Sequence, residues 1–359
     1  MAASFVTRLS LGISIIALTL AGYSIYYQNT QTAINKATSP TWLADTFGDE
    51  PAAAGILSLG SGKVSDEACI FSAVREVVDA AVDAEARMGA SLIRLFFHDC
   101  FVDGCDAGLL LKDTPTFIGE QSAGANQNSV RGYEVIDRAK QNAKTKCPDT
   151  PVSCADIVAI AARDSFRQFT GKTYTVTLGR KDARTANLTG ANTQLVGPAE
   201  DLASQTRKFA AKGFNQTEMV ALLGAHTIGF VRCPLLCVAA VVNPARAAAA
   251  AVQCNCQTTP NATGLVGLDP TPAAFDQRYY ADVANGRGLL FSDNELMKGN
   301  TTGAAVRRYR DAMGAFLADF AAEMVKMSNL PPSRGLQLEI RDVCSRVNGN
   351  KVAAGVASL

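Results

Sequence analysis

Apolar residues recur at helical spacing from Asp66 onward. Val74, Val78 and Val82 would lie on one side of a first helix. Asn215 and Glu218 form the polar-x-x-Glu pattern of a helix start. Further helical patterns cover three stretches: 84–97, 154–163 and 311–327, the last ended by Pro331 and Pro332.

β-Structure is predicted in one short stretch. Residues 173–178 alternate β-branched and other side chains before Gly179, which is typical of a strand. The chain has no internal repeat and no pattern of parallel strands. It is therefore predicted to be mainly α with minor β-structure.

The two ends of the chain differ from its middle. Residues 1–27 contain an apolar run after Arg8, which predicts a signal peptide or, alternatively, a retained signal anchor. Residues 28–64 are rich in small and polar residues and predict a disordered stalk. An ordered domain is expected at 65–348, followed by a short tail at 349–359.

Charge and cysteine content indicate which binding partners and which cellular compartment the protein has. A net charge of +1 gives no indication of a nucleic-acid partner, and membrane contact is expected only if the N-terminal segment is retained. Ten dispersed cysteines favour disulfides in an oxidising compartment. Four N-x-[ST] sequons also favour secretion to the cell exterior: Asn187, Asn215, Asn261 and Asn300.

The 359 residues include only two histidines, His98 and His226. Arg94 and His98 are four residues apart, so they share one face of a predicted helix. Such an imidazole can take a proton from a hydroperoxide and return it to the departing oxygen, while the guanidinium stabilises the developing charge. Alone, the pair is more typical of a surface arginine beside a buried helical histidine than of such a catalytic pair.

An acidic loop follows His98. Asp99 and Asp106 flank two cysteines, Cys100 and Cys105, that can close a tight loop. Oxygen-rich loops of this kind bind hard cations, and a solvated acidic turn is the alternative.

The combined motifs resemble those of class III (secretory plant) haem peroxidases. The distal signature is Arg94-x-x-Phe-His-Asp-Cys-Phe-Val-x-Gly-Cys-Asp106, and the proximal one is Gly224-Ala-His-Thr-Ile-Gly229. Further similar segments are 131–137, 152–156, 178–182, 275–280 and 288–293. The resemblance implies a two-subdomain helical fold with haem b between a distal and a proximal half.

The resemblance also implies roles for single residues. His226 is expected to ligate the haem iron, with Asp293 hydrogen-bonded to its other nitrogen. His98 is expected to be the acid–base catalyst and Arg94 its partner in O–O cleavage. Asn126 is expected to support His98; Asn128 lies close by, but the distance to Arg131 favours Asn126. Phe97 is expected to cover the haem.

Two calcium sites are implied as well. The first would use Asp99, Val102, Gly104, Asp106 and, through water, Glu120; Gly108 stands where the family usually has serine. The second would use Thr227, Asp269, Thr271, Ala274 and Asp276, and its Asp269–Thr271 spacing is one residue shorter than usual.

Eight of the cysteines match four family disulfides. The expected pairs are Cys69–Cys147, Cys100–Cys105, Cys154–Cys344 and Cys233–Cys256, with Cys237–Cys254 as an additional nested bond. The alternative pairing, Cys233–Cys254 with Cys237–Cys256, remains open.

The implied reaction is reduction of hydrogen peroxide to water with one-electron oxidation of small phenolic donors by a monomeric enzyme. Val196 replaces a proline of the family's donor-site motif, so the donor is left open. A non-catalytic wall glycoprotein of the same fold would have lost Arg94, His98 or Asp293. A two-histidine metal hydrolase would need a third ligand motif, which the sequence lacks.

Overall fold

The computed structural model describes residues 66–258 and 263–349. The predicted signal segment 1–27, the stalk 28–64, nearly all of the tail and the Asn261 sequon lie outside them. Within the described residues, no helix combines the length and apolar character needed to cross a membrane.

Helices make up most of the ordered backbone, and this confirms the mainly α prediction. In the described residues the α-helices are α1 (Asp66–Ala84), α2 (Arg87–Cys100), α3 (Tyr133–Lys146), α4 (Cys154–Thr170), α5 (Leu188–Gln194), α6 (Leu202–Ala211), α7 (Gln216–Leu223), α8 (Cys233–Leu236), α9 (Pro244–Cys254), α10 (Arg278–Ala284), α11 (Phe291–Glu295), α12 (Asn300–Asp311) and α13 (Met313–Ser328).

Helix α4 is the centre of the N-terminal half. Its first thirteen residues are all buried, Ser153 caps its start by accepting from the Asp156 amide, and Gly171 ends it with φ 67°. Helices α1, α2 and α3 pack against α4. Helices α7, α10, α12 and α13 form a second packed group. His98 therefore belongs to the first group, and His226 directly follows α7 of the second.

The described residues contain two small antiparallel sheets. Strand β1 (Asp182–Ala183) pairs with β4 (Leu338–Glu339), and β2 (Phe230–Arg232) pairs with β3 (Leu265–Gly267). The predicted strand at 173–178 was wrong. Tyr174 and Val176 are buried in alternation as expected, but no strand among the described residues pairs with this segment. The amides of Gly179 and Arg180, which follow it, bind the Asp156 carboxylate instead.

The last helix also begins later than predicted. Residues 311–327 were expected to form one helix, but Ala312 has φ −137° and ψ 88°, which separates α12 from α13. Helix α13 then ends at Ser328, three residues before the two prolines.

Five disulfides connect the described residues, and three join the expected pairs: Cys69–Cys147, Cys100–Cys105 and Cys154–Cys344. The expected Cys233–Cys256 and Cys237–Cys254 pairs were wrong, because the bonds are Cys233–Cys254 and Cys237–Cys256. Cys254 ends α9 and is buried with Cys233 in a small apolar cluster. Asn255 then turns the chain with φ 56°, so Cys256 reaches the partly exposed Cys237.

Helix α13 contains Glu323, whose surroundings disfavour the charged form of its carboxyl group. Burial and the nearby Glu218 and Asp319 raise the pKa of Glu323 to about 7 despite Lys326, and Glu323 Oε2 is buried without a hydrogen-bond partner among the described residues. An acid whose folded pKa exceeds its unfolded pKa of 4.5 costs stability as pH rises through that window.

Replacing Glu323 with glutamine should therefore stabilise the protein above pH 7 and leave it nearly unchanged at pH 4. Solvent screening limits the gain to about 1 kcal/mol, or about 2–4 °C in Tm. Thermal unfolding of both proteins at pH 4 and pH 8 measures the difference. An equal Tm difference at the two pH values would contradict the titration of Glu323.

Candidate active site

Helix α2 carries His98 and Arg94 on one face. His98 is buried, and its Nδ1 lies 2.5 Å from Asn126 Oδ1. Asn126 Nδ2 donates to the Glu120 carbonyl at 2.8 Å, which fixes the amide so that Oδ1 faces the imidazole. Since an amide oxygen only accepts, His98 Nδ1 carries the proton and Nε2 keeps its lone pair. Burial and the Arg94 charge hold the pKa of His98 well below 6.5, which favours this neutral form.

Arg94 is held by the turn that contains Asn126. Its Nη2 donates to the Ala125 carbonyl at 2.8 Å and to Ser129 Oγ at 3.1 Å. Burial lowers the pKa of Arg94 to about 10, so the guanidinium remains charged at neutral pH. These contacts leave a fixed positive charge close to the neutral imidazole.

Phe97 lies beside the two polar groups. Its ring meets His98 edge to face with centroids 5.7 Å apart, and it packs on Phe101 at 4.2 Å. Phe97 is partly buried, whereas Phe96 and Phe101 are in the core. Part of the Phe97 side chain is therefore accessible beside His98.

His226 lies in the 3₁₀ turn Gly224–Thr227 after α7. Its Nδ1 is 2.9 Å from Asp293 Oδ1, and its side chain is 32% exposed whereas that of Asp293 is 2% exposed. The buried carboxylate accepts a hydrogen bond from Nδ1–H, so Nε2 is the nitrogen that carries the lone pair. A second donor, the Tyr279 hydroxyl, binds the same Asp293 oxygen at 3.1 Å.

The segment after His226 contacts the start of α2. Gly229 packs against Ala90, since a Cβ at this glycine would lie 3.2 Å from the Ala90 Cβ. The Arg87 guanidinium lies 5.9 Å from the centre of the Phe230 ring. The His226 segment and the His98 helix are thus direct neighbours.

The acidic side chains of the loop after His98 are buried together with Glu120. Asp99, Asp106 and Glu120 are each at most 2% exposed. Burial raises the pKa of Asp99 to about 7 and that of Asp106 to about 8, and it raises the pKa of Glu120 well above 4.5. Asp99 Oδ1 is buried without a hydrogen-bond partner among the described residues. The loop backbone turns at Gly104, whose φ is 91°.

Gly108 has a clear steric role in this cluster. A Cβ at this position would lie 2.8 Å from Glu120 Oε1 and 3.0 Å from Asp106 Oδ1. The two carboxylates therefore approach the Gly108 backbone more closely than a side chain there would allow.

The residues expected for a second calcium site also come together. Thr227 Oγ1 donates to Asp269 Oδ2 at 3.0 Å, and Thr271 Oγ1 lies 2.9 Å from Asp276 Oδ2. Burial raises the pKa of Asp269 to about 6. The backbone amide of Ala274 donates a hydrogen bond to the Thr271 carbonyl, and the Ala274 side chain offers no ligand atom. Among the described residues, no three His, Cys, Asp or Glu side chains are grouped to hold a metal by themselves.

The sequence as a whole is similar to known enzymes of one family. The Peroxidase family model matches residues 74–312. The chain belongs to the peroxidase family. It is 70% identical to the anionic peroxidase of Ipomoea batatas, over 98% of this chain and 96% of that protein. It is 63% identical to the neutral peroxidase of the same plant, over 96% of this chain and 100% of that protein.

A third relative is the suberization-associated anionic peroxidase of Solanum tuberosum, which is 52% identical over 97% of this chain and 98% of that protein. These plant relatives confirm the class III resemblance. The protein is accordingly a peroxidase that uses hydrogen peroxide, and the family implies a haem cofactor and a reducing donor substrate.

Two parts of this peroxidase's site escaped sequence analysis. Ala125 and Ser129 hold Arg94 across more than thirty positions of sequence, and Tyr279 shares Asp293 with His226. The sequence placed Tyr279 and Tyr280 in the similar segment 275–280 but indicated no role for either residue.

Val196, the position expected at the donor site, lies in a restrained segment. Val196 is partly buried against the main core. Lys208 donates to the Leu195 carbonyl at 2.7 Å and pairs with Glu200, which accepts from the Gly197 amide at 3.0 Å. The segment is therefore fixed by side chains although the family's proline is absent.

The sequons of this peroxidase differ in exposure. Asn215 and Asn300 are exposed. Asn187 is partly buried, and its Nδ2 donates to Asp103 at 2.9 Å. A glycan on Asn187 would replace one of the two Nδ2 hydrogens and leave only the other for the bond to Asp103.

Proposed function

We propose that His98 transfers the proton that cleavage of hydrogen peroxide requires. The observation that carries this proposal is the 2.5 Å contact between His98 Nδ1 and Asn126 Oδ1. It leaves Nε2 as a base, which can take a proton from one peroxide oxygen and deliver it to the other as that oxygen leaves as water.

Arg94 is proposed to stabilise the negative charge that develops on the departing oxygen. Its guanidinium is charged, largely desolvated and fixed by the Ala125 carbonyl and Ser129 hydroxyl. A preorganised charge in such surroundings acts without reorganisation during the reaction.

His226 is proposed to hold the haem iron through Nε2, with Asp293 as its hydrogen-bond acceptor. The donor set fits the group, because the imidazole is partly exposed and its Nδ1 is already bonded to a buried carboxylate. Haem, when bound, supplies the redox-active iron that reacts with peroxide and is restored by one-electron donors. Phe97 is proposed to cover the haem next to His98.

Two calcium ions are proposed to complete the buried acidic sites. The unpartnered oxygen of Asp99 beside Asp106 and Glu120 supports the first site, which carbonyls of Val102 and Gly104 would complete. Gly108 would give no side-chain ligand. The convergence of Thr227, Asp269, Thr271 and Asp276 supports the second.

The donors are proposed to be small phenolics of the plant cell wall, oxidised by a secreted monomer. The five disulfides, the exposed sequons Asn215 and Asn300, and the name of the suberization-associated relative support this assignment. Val196 is proposed to line the donor path.

Replacing Asn126 with valine tests the proton-transfer proposal. The rate constant for the reaction with hydrogen peroxide should fall about tenfold, because loss of one hydrogen bond of about 1.4 kcal/mol makes Nε2 a weaker base. Stopped-flow absorbance at the Soret band measures it. Asn128→Gly is the matched control, since Asn128 is exposed and has φ 56°, which glycine adopts freely. Equal rates in Asn126→Val and the control would contradict the proposal.

A further inference from the structure

The Asp293 carboxylate accepts two hydrogen bonds at a single oxygen. His226 Nδ1 lies 2.9 Å from Oδ1, and the Tyr279 hydroxyl lies 3.1 Å from the same atom. The rings of His226 and Tyr279 meet edge to face at 90°, with centroids 5.9 Å apart. The two donors therefore share the charge of one buried oxygen.

Burial makes this sharing energetically significant. Asp293 and Tyr279 are each 2% exposed, so water does not screen the carboxylate. The ion pair of Asp293 within the described residues is with His226, and no lysine or arginine pairs with it there. Burial and the Asp293 charge raise the pKa of Tyr279 well above 10, so the phenol keeps its proton and remains a donor.

We propose that Tyr279 is a positioning residue that limits the negative charge which Asp293 presents to His226. The inference rests on the proposed role of His226 as iron ligand. Hydrogen bonds to an axial ligand are one means by which a protein sets the potential of haem iron. The hydrogen bond from the Tyr279 hydroxyl stabilises part of the negative charge on Asp293. The carboxylate therefore polarises His226 less, and the imidazole is less anionic than it would be if His226 were the only donor.

Tyr279→Phe removes the hydroxyl and keeps the ring. The Asp293 charge then acts on His226 alone, the imidazole becomes more anionic, and ferric iron gains stability over ferrous iron. The adjacent Tyr280 offers a matched control. It is fully buried, its ring packs against Tyr279 at 5.1 Å, and its hydroxyl donates to the Val220 carbonyl at 2.9 Å instead of to Asp293.

The experiment compares haem-loaded wild-type protein with Tyr279→Phe and Tyr280→Phe. A spectroelectrochemical titration gives the ferric–ferrous equilibrium, and resonance Raman spectra of the ferrous proteins give the iron–histidine stretching band. Tyr279→Phe should shift the equilibrium towards the ferric form by about threefold to tenfold, where tenfold is 59 mV for a one-electron couple. It should also raise the iron–histidine frequency, and Tyr280→Phe should leave both unchanged.

A Tyr279→Phe protein with the potential and Raman band of the Tyr280→Phe control would overturn the role of Tyr279. A shift towards the ferrous form would overturn it as well. A wrong assignment of His226 as the iron ligand would give a different result. If the wild-type protein lacks an iron–histidine band, or if His226→Ala retains it, His226 is not the ligand and the proposed function itself is wrong at this position.

Discussion

Replacing His98 with alanine should slow the reaction with hydrogen peroxide by about 10²–10⁴-fold, the range that a positioned acid–base group contributes. The chain contains one other histidine, His226, which is committed to Asp293 and cannot substitute. Haem binding should persist, because the proposed iron ligand is unchanged. Stopped-flow measurement of the Soret band against peroxide concentration gives the rate constant, and the resting spectrum reports the bound haem.

Ser91→Ala is a suitable control for this variant. Ser91 lies on the same helix, is partly buried and donates only to the Arg87 carbonyl at 3.0 Å. Its replacement should leave the peroxide rate unchanged. If His98→Ala protein with bound haem reacts within tenfold of the wild-type rate, another group transfers the proton.

Removal of the proposed calcium ions should cause the second large effect, a loss of stability. Without a cation, Asp99, Asp106 and Glu120 are three buried acids whose charged forms are disfavoured, and the Asp99 Oδ1 atom has no hydrogen-bond partner among the described residues. A ligand present at about 1,000 times its Kd stabilises the folded state by about 4 kcal/mol. Chelation should thus lower Tm by about 10 °C. Differential scanning calorimetry with excess EDTA and after return of calcium measures the change.

Two carboxylate variants separate a bound ion from a general effect of chelation. Asp99→Asn should lose most of the calcium-dependent change in Tm, because it removes a proposed ligand. Asp342→Asn should keep the full change, since the Asp342 side chain is 76% exposed and pairs only with Lys144 at the surface. A Tm that EDTA leaves unchanged in the wild-type protein would show that neither site is needed for stability.

The parts of the fold that sequence analysis predicted are those specified by neighbouring residues. The capping box of Asn215 and Glu218 starts α7, and the four-residue spacing of Arg94 and His98 places them on one helix face. The strand at 173–178 was predicted from a local alternation that is real, but a strand also needs a partner. Whether a partner strand lies beside it depends on the whole fold, and the local pattern of residues does not predict this.

Contacts between distant segments were harder to predict. The sequence offered two pairings for Cys233, and the choice depended on the direction in which α9 presents Cys254. Tyr279 reaches Asp293 from a different helix, fourteen positions away. The shortened Asp269–Thr271 spacing raised doubt about the second acidic site, yet Thr271 still reaches both Asp269 and Asp276 because the turn adapts around it.

The loop that follows His98 is held in place by residues between 330 and 341. The Cys105 amide donates to the Leu330 carbonyl, the Ser333 amide donates to the Asp103 carbonyl at 2.7 Å, and buried Arg341 binds the Ala107 carbonyl. During synthesis these partners emerge more than 220 residues after the loop itself. A nascent chain that stops before Leu330 therefore lacks the contacts that fix the loop after the His98 helix, and the proposed peroxide-cleaving site becomes complete only when translation of the domain is almost finished.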